Sequence, residues 1–154
     1  MHIRTVSLQD AEPLAALLQE SGWFESRQHE PLDAASRRVR AHIEQGLADT
    51  SHTIFVALAS EGTLGGYASV HWLPYLLLTG PEGLVSALFV HDATRGQGVG
   101  RQLLEKIQAE APARGWARFS LIHFRHRESY QRQVYEKGGW AERPEAANCV
   151  YKIP

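Results

Sequence analysis

The turn Arg95-Gly96-Gln97-Gly98-Val99-Gly100 constrains the chain more than any other stretch, because of what flanks it. Upstream, residues 84–90 form an uncharged run bounded by Gly83 and by His91-Asp92, and they read as a buried strand. Downstream, Leu103, Leu104, Ile107 and Ala111 recur at helical spacing, so the turn opens an amphipathic helix. Glycines allow positive φ and close approach of the backbone, and the first N–H groups of a helix point outward without helical partners. Arg95 and Arg101 add positive charge beside them. The pattern predicts a cradle for a ligand that carries phosphate.

Spacing narrows the ligand. A nucleotide-hydrolysing loop needs Gly-Lys-Ser/Thr at the helix start, whereas Gly100 is followed by Arg101-Gln102. A dinucleotide fingerprint reads G-x-G-x-x-G near the first strand of a domain; here the glycines read G-x-G-x-G and come late in the chain. What remains is R-x-x-G-x-G after a strand. A glycine-rich turn without any ligand is the plain alternative.

Composition removes other classes. The chain has 154 residues, of which 44% are apolar and 21% charged, which suits one soluble domain with one sizeable core. Sixteen basic against 17 acidic residues leave a formal charge of −1, so no nucleic-acid partner is expected. No apolar run approaches the ~20 residues that span a bilayer, and no membrane partner is expected. The N-terminal residues carry no hydrophobic signal core, and the single cysteine excludes an intrachain disulfide. The expected compartment is the cytoplasm.

Along the chain, residues 2–6 read as an edge strand, and Ser7 or Asp10 caps a helix through Leu14, Leu17 and Leu18, with Pro13 in its first turn. Residues 33–48 form a second helix with Val39, Ile43 and Leu47 on one face. Residues 52–59 and 64–73 are strands about a hairpin turn at Ser60-Glu61-Gly62-Thr63. Pro112 is expected to stop or kink the helix after the glycine turn near Glu110. Residues 119–122 form another strand, and a helix from Arg127 closes at Tyr135-Glu136-Lys137-Gly138, with Gly138 as its left-handed cap. Cys149 is expected as a buried, inert thiol in a final strand at residues 148–151.

The R-x-x-G-x-G turn after a strand, followed by Tyr135-Glu136-Lys137-Gly138-Gly139-Trp140, resembles the GNAT superfamily of N-acyltransferases. The two motifs span about residues 84–140; the first 70 residues match in element order only. The resemblance implies an α/β fold with a central mixed, mostly antiparallel sheet and helices on both faces, in a single domain over residues 1–154. It also implies acetyl-CoA as cosubstrate, without a metal, and direct attack of a primary amine in a ternary complex. Leu88, Phe89 and Val90 would then meet the pantetheine arm, and Arg95, Gly96, Gln97, Gly98, Val99, Gly100 and Arg101 the phosphates.

Acetyl transfer also needs a proton donor for the departing thiolate and an acceptor for the amine's proton. The resemblance places Tyr135 at the donor position; the residue-level alternative is a core aromatic. Many relatives carry an acid within the fourth strand, but this chain has Ser86-Ala87 there, with Glu82 and Asp92 outside it. His71 is the replacement base, since imidazole titrates near neutrality, and a chain of waters is the alternative. Trp23, Phe24, Trp72 and Tyr75, with the nearby acid Glu25, suit a small-molecule amine or a protein amino group, or else belong to the core. The Arg125-His126-Arg127 segment reads most simply as a solvated turn; the resemblance, which sets it at the start of a helix bordering the coenzyme, implies as the alternative a contact with the cofactor's adenosine phosphates. An exposed edge strand could pair in a homodimer. A non-catalytic acyl-CoA-binding module, or a transferase of a longer acyl group, is the alternative reading.

Overall fold

A hairpin sets the register of the sheet. In the computed structural model, which describes residues 1–21, 29–115 and 117–151, β2 (His52–Leu58) and β3 (Leu64–Leu73) run antiparallel about a turn where Gly62 has φ 83°. β1 (His2–Thr5) pairs antiparallel with β2, and β4 (Glu82–Val90) antiparallel with β3. β5 (Arg118–Leu121) completes one mixed sheet in the order β1-β2-β3-β4-β5. By contact density the chain divides into two units, Met1–Ser120 and Leu121–Pro154.

Strand alternation assigns the faces of the sheet. Val56 is fully buried in a cluster with Leu14, Ala15 and Leu17 of α1 (Ala11–Glu20) and Val39 and Ile43 of α2 (Leu32–Ala48). Its neighbour Phe55, also buried, points the other way, with Lys106 Nζ of α3 (Val99–Arg114) 5.6 Å above its ring. Helices therefore cover both faces. Pro13 lies in the first turn of α1, where a missing N–H breaks no helical bond.

Two helical expectations change. Leu47 does not share the buried face of Val39 and Ile43: it lies in the last turn of α2, is 51% exposed, and lines a cavity at the start of β2. Pro112 does not end α3, which continues to Arg114. Pro112 costs the helix the one bond its missing N–H would make four residues back, and Gly115 at φ 64° closes the helix by donating to the carbonyls of Ala111 and Pro112.

The second unit is less regular than the sequence pattern predicts. In place of one helix from Arg127 there is a short α4 (Glu128–Gln131) and a 3-10 turn at Glu136–Gly138. Gln133 sits at φ 54° between them, a conformation that cannot continue a right-handed helix. Most helical stability comes from a buried apolar stripe, and here Val134 is 40% exposed. The left-handed cap is Gly139 (φ 83°), one residue beyond Gly138. Residues 148–151 form no strand, and Cys149 is exposed rather than buried.

The entry into α1 is fixed by a buried carboxylate. Arg4 of β1 donates from both terminal nitrogens to Asp10 at 2.8 Å, and the Ser7 N–H and Oγ donate to Asp10 Oδ2 at 2.7 and 2.9 Å. Burial pushes the Asp10 carboxyl up, but these donors together outweigh it and hold it below the usual carboxylate range. Its contribution is therefore present above the unfolded carboxylate pKa and lost as pH falls through the lower folded value. Asp10→Ala should cost about 2 kcal/mol at neutral pH, measured by urea unfolding, and the difference from wild type should shrink below about pH 4.

Candidate active site

The glycine turn begins with the end of β4 and is tied to its neighbour. His91 N–H bonds Gly65 O at 2.9 Å, and Thr94 Oγ1 donates to Gly65 O at 2.7 Å and to His91 O at 3.0 Å. Thr94 lies in a 3-10 turn, Asp92–Thr94, capped by His91, whose Nδ1 accepts from Ala93 N–H. Its Nε2 lies 3.1 Å from Glu20 Oε2 at the end of α1.

The backbone then makes two left-handed steps, Gly96 at φ 78° and Gly98 at φ 77°, and enters α3. A Cβ on Gly96 would meet nothing within 4 Å, so its surroundings are open. The first helical bond is Gln102 N–H to Gly98 O at 3.0 Å, which leaves the N–H groups of Val99, Gly100 and Arg101 without helical partners. Val99 is 1% exposed and plugs the helix start into the core, while Gly100 packs 3.4 Å from Val90 Cγ2 as measured at an added Cβ. Leu88 is half-buried, and Phe89 stacks on Tyr67 with centroids 5.4 Å apart. Open left-handed glycines and outward N–H groups fit a phosphate.

The two arginines are engaged with acids. Arg95 pairs with Asp92 at 2.7 Å and Arg101 with Glu105 at 2.7 Å, both well exposed. Gln97 Nε2 donates to Ala93 O at 3.1 Å. An anion at this turn is thus met first by backbone, with the guanidinium groups able to exchange exposed partners that contribute little.

β4 is not uniformly buried. Ser69 pairs with Ala87 but Val70 with Val85, so Ser86 is an extra residue at a bulge, and it is exposed. Glu82, at the start of β4, is 4% exposed and accepts from Arg118 of β5 at 2.9 Å, which makes it a structural acid. His71 lies opposite His52 on β2, and their rings stack with centroids 4.1 Å apart and planes 6° apart. Burial lowers the pKa of His71; burial first, then His71, lowers that of His52, so both imidazoles are neutral at pH 7.

The expected acceptor aromatics fare unevenly. Trp72 is 5% exposed, donates from Nε1 to Thr53 Oγ1 at 2.9 Å, and lies under Arg114 at 4.8 Å and against Phe119, so it is core and offers no open wall. Tyr75 is 45% exposed, with Arg118 6.0 Å over its ring. Trp23, Phe24 and Glu25 lie outside the described residues.

In the second unit Tyr135 is half-buried between His123 and Trp140, edge-on to both at 4.5 and 6.1 Å. Burial raises its pKa, so the phenol holds its proton at neutral pH. His123 Nε2 lies 2.8 Å from Ser129 Oγ. In the Arg125-His126-Arg127 segment, Arg125 pairs with Glu142, which also accepts from Tyr130 OH at 2.7 Å. Among the described residues no group of three His, Cys, Asp or Glu side chains is arranged to hold a metal.

The sequence profile of the Acetyltransferase (GNAT) family matches residues 15–140. The chain belongs to the GNAT acetyltransferase family. Solved structures share its fold. A ribosomal-protein-alanine N-acetyltransferase from Brucella melitensis biovar Abortus 2308 superposes with TM-score 0.73 at 23% identity, covering 99% of this chain and 100% of that one. A transcriptional regulator from Bacillus halodurans C-125 gives TM-score 0.84 at 24% identity, covering 97% and 99%. AAC(6')-Iy in complex with the bisubstrate analog CoA-S-monomethyl-acetylneamine gives 0.75 at 20% identity, covering 99% and 98%. No curated protein sequence matches the chain.

In this GNAT-family chain, sequence reasoning passed over Thr94, His52 and Ser69. The signal for His52 was its position opposite His71 across the hairpin turn; Thr94 and Ser69 had none, because their roles depend on strand neighbours. The turn geometry yields a direct contrast. Gly98→Ala should destabilise the protein by about 1 to 2 kcal/mol, since φ alone opposes a Cβ there. Gly100→Ala, at a helical position with ordinary contacts, should be neutral or up to about 1 kcal/mol more stable. Denaturant unfolding of both variants checks this, and equal losses would contradict it.

Proposed function

We propose that the chain is an N-acetyltransferase that moves the acetyl group of acetyl-CoA to a primary amine by direct attack, without a covalent enzyme intermediate. The observation that carries this reading is the pair of open left-handed glycines leading from β4 into α3, in a chain of this family. Acetyl-CoA supplies an activated thioester. The N–H groups at the start of α3 would hold its phosphates, with Arg95 and Arg101 beside them, and Leu88, Phe89 and Val90 would meet the pantetheine arm.

The remaining chemistry is proton movement. Tyr135, kept protonated by burial, is the proposed acid for the departing thiolate. The amine must arrive neutral or lose a proton, and the neutral histidine pair His71 and His52 is the proposed acceptor region. Of the expected acceptor aromatics that are described, Tyr75 is the one with surface left for an acceptor, a small-molecule amine or a protein amino group. The proposed compartment is the cytoplasm; no helix among the described residues is long and apolar enough to cross a membrane.

A thiol-release assay with acetyl-CoA and a panel of primary amines tests the reading. Wild type should release thiol with at least one amine, and Tyr135→Phe should lower kcat at least about a hundredfold with unchanged coenzyme affinity. Equal turnover by Tyr135→Phe would remove Tyr135 as the acid. Saturable coenzyme binding without transfer in either form would make the chain an acyl-CoA-binding module.

A further inference from the structure

Three side chains on neighbouring strands form a hydrogen-bonded row on the face of the sheet that α1 and α2 cover. The β4 bulge turns Ser86 toward the side of Ala87 and Ser69. Ser86 Oγ lies 3.2 Å from Ser69 Oγ on β3, and Ser69 Oγ lies 2.6 Å from His52 Nε2 on β2. Ser69 is 7% exposed, so its hydroxyl is a buried link between two more accessible groups. At one end Ser86 is exposed at the bulge. At the other, His52 lines a cavity of about 250 Å³ at the start of β2, beyond its pairing with β1, together with Asp49, Glu110 and Arg114. A row of hydroxyls ending on an imidazole, open at both ends, can conduct a proton from one side to the other.

We propose that Ser86, Ser69 and His52 form a proton-exit relay, carrying the proton shed by an ammonium acceptor from the β4 bulge to the cavity at the start of β2. The proposal rests on the acetyl-transfer reading above. As the acceptor's N–H bond breaks, its proton joins Ser86 Oγ. The proton of Ser86 passes to Ser69 Oγ, and that of Ser69 to His52 Nε2. Each hydroxyl loses one proton and gains one, the amine becomes neutral, and His52 becomes imidazolium until Nδ1 releases its proton toward the cavity.

The surroundings of His52 suit a transient carrier. Its Nε2 faces a hydroxyl, and its Nδ1 lies by Gly46 of α2, 3.2 Å from where a Cβ would stand. Burial opposes its charge, as do His71, stacked on it, and His42 of α2, while Asp49 favours the charge. Glu110 pairs with Lys106 at 3.1 Å, and Arg114 donates to Thr50 O at 2.9 Å, so the charges across the cavity are held by neighbours. His52 therefore returns to neutrality readily at pH 7.

The test compares wild type with Ser86→Ala, Ser69→Ala and His52→Gln, using acetyl-CoA and one primary amine that wild type acetylates. Ser86 is exposed, so its variant keeps the fold even where the buried Ser69→Ala does not. Each folded variant should lose at least about tenfold in kcat with unchanged acetyl-CoA affinity by calorimetry. His52→Gln should also lose the acid-side inflection of the kcat/KM profile, which in wild type lies below the ordinary histidine range. The double variant Ser86→Ala/His52→Gln should be no slower than the slower single variant, as members of one relay require. Wild-type kcat and pH profile in Ser86→Ala, or losses that multiply in the double variant, would overturn the relay alone. Absence of acetyl transfer by wild type to any amine would overturn the acetyl-transfer reading and the relay with it.

Discussion

The pairing of β3 with β4, broken once at Ser86, is the constraint on which the rest of the first unit depends. On one side of the break, Val70 meets Val85 and the strands bury apolar residues against the α3 face. On the other, Ser69 meets Ala87, and the ladder continues to Gly66 and Val90. The last rungs aim the chain into the glycine turn, and Thr94 fastens that turn to Gly65. Continued past the Ser69–Ala87 rung without a break, the ladder would set Ser86 opposite Val70, on the other face of the sheet. The bulge therefore sets both the row of polar side chains and the delivery of the backbone to α3.

Charge is arranged so that backbone leads at the turn and side chains follow. Arg95 and Arg101 are each matched by an acid within one helical turn. Exposed pairs of this kind contribute little to stability, so an arriving anion would displace them at small cost. Fixed N–H groups at the start of a helix need no such exchange. Buried pairs behave differently: Arg4 with Asp10 and Arg118 with Glu82 tie β1 to α1 and β5 to β4, and their carboxylates are almost fully enclosed. They hold elements in place, which is why Glu82, the acid at the start of β4, is a strut rather than a base.

Much of the first unit was legible in the sequence because local chemistry and tertiary packing agree there. β3 falls at residues 64–73 as its apolar pattern and the preceding glycine turn require, and α2 begins within a residue of its expected start. The glycine turn was legible because two of its residues need positive φ. Agreement fails where packing decides alone. Nothing in the residues from Arg127 to Gly138 forbids a helix, yet little of its surface is buried, and it breaks at Gln133. Trp72 and Tyr75 look alike as aromatics near a loop, but only the structure puts the first in the core. The bulge at Ser86 is defined by its partner strand, so no reading of β4 by itself reveals it.

The central claim is that the turn from Gly96 to Gly100 holds the phosphates of coenzyme A. Calorimetric titration of the protein with acetyl-CoA, with dephospho-coenzyme A as comparison, tests it most directly. The account predicts saturable binding of acetyl-CoA in the micromolar range, with the same turn accepting the pyrophosphate of the dephospho form. No heat of binding at millimolar acetyl-CoA would contradict it, leaving the GNAT fold without the cosubstrate proposed for it.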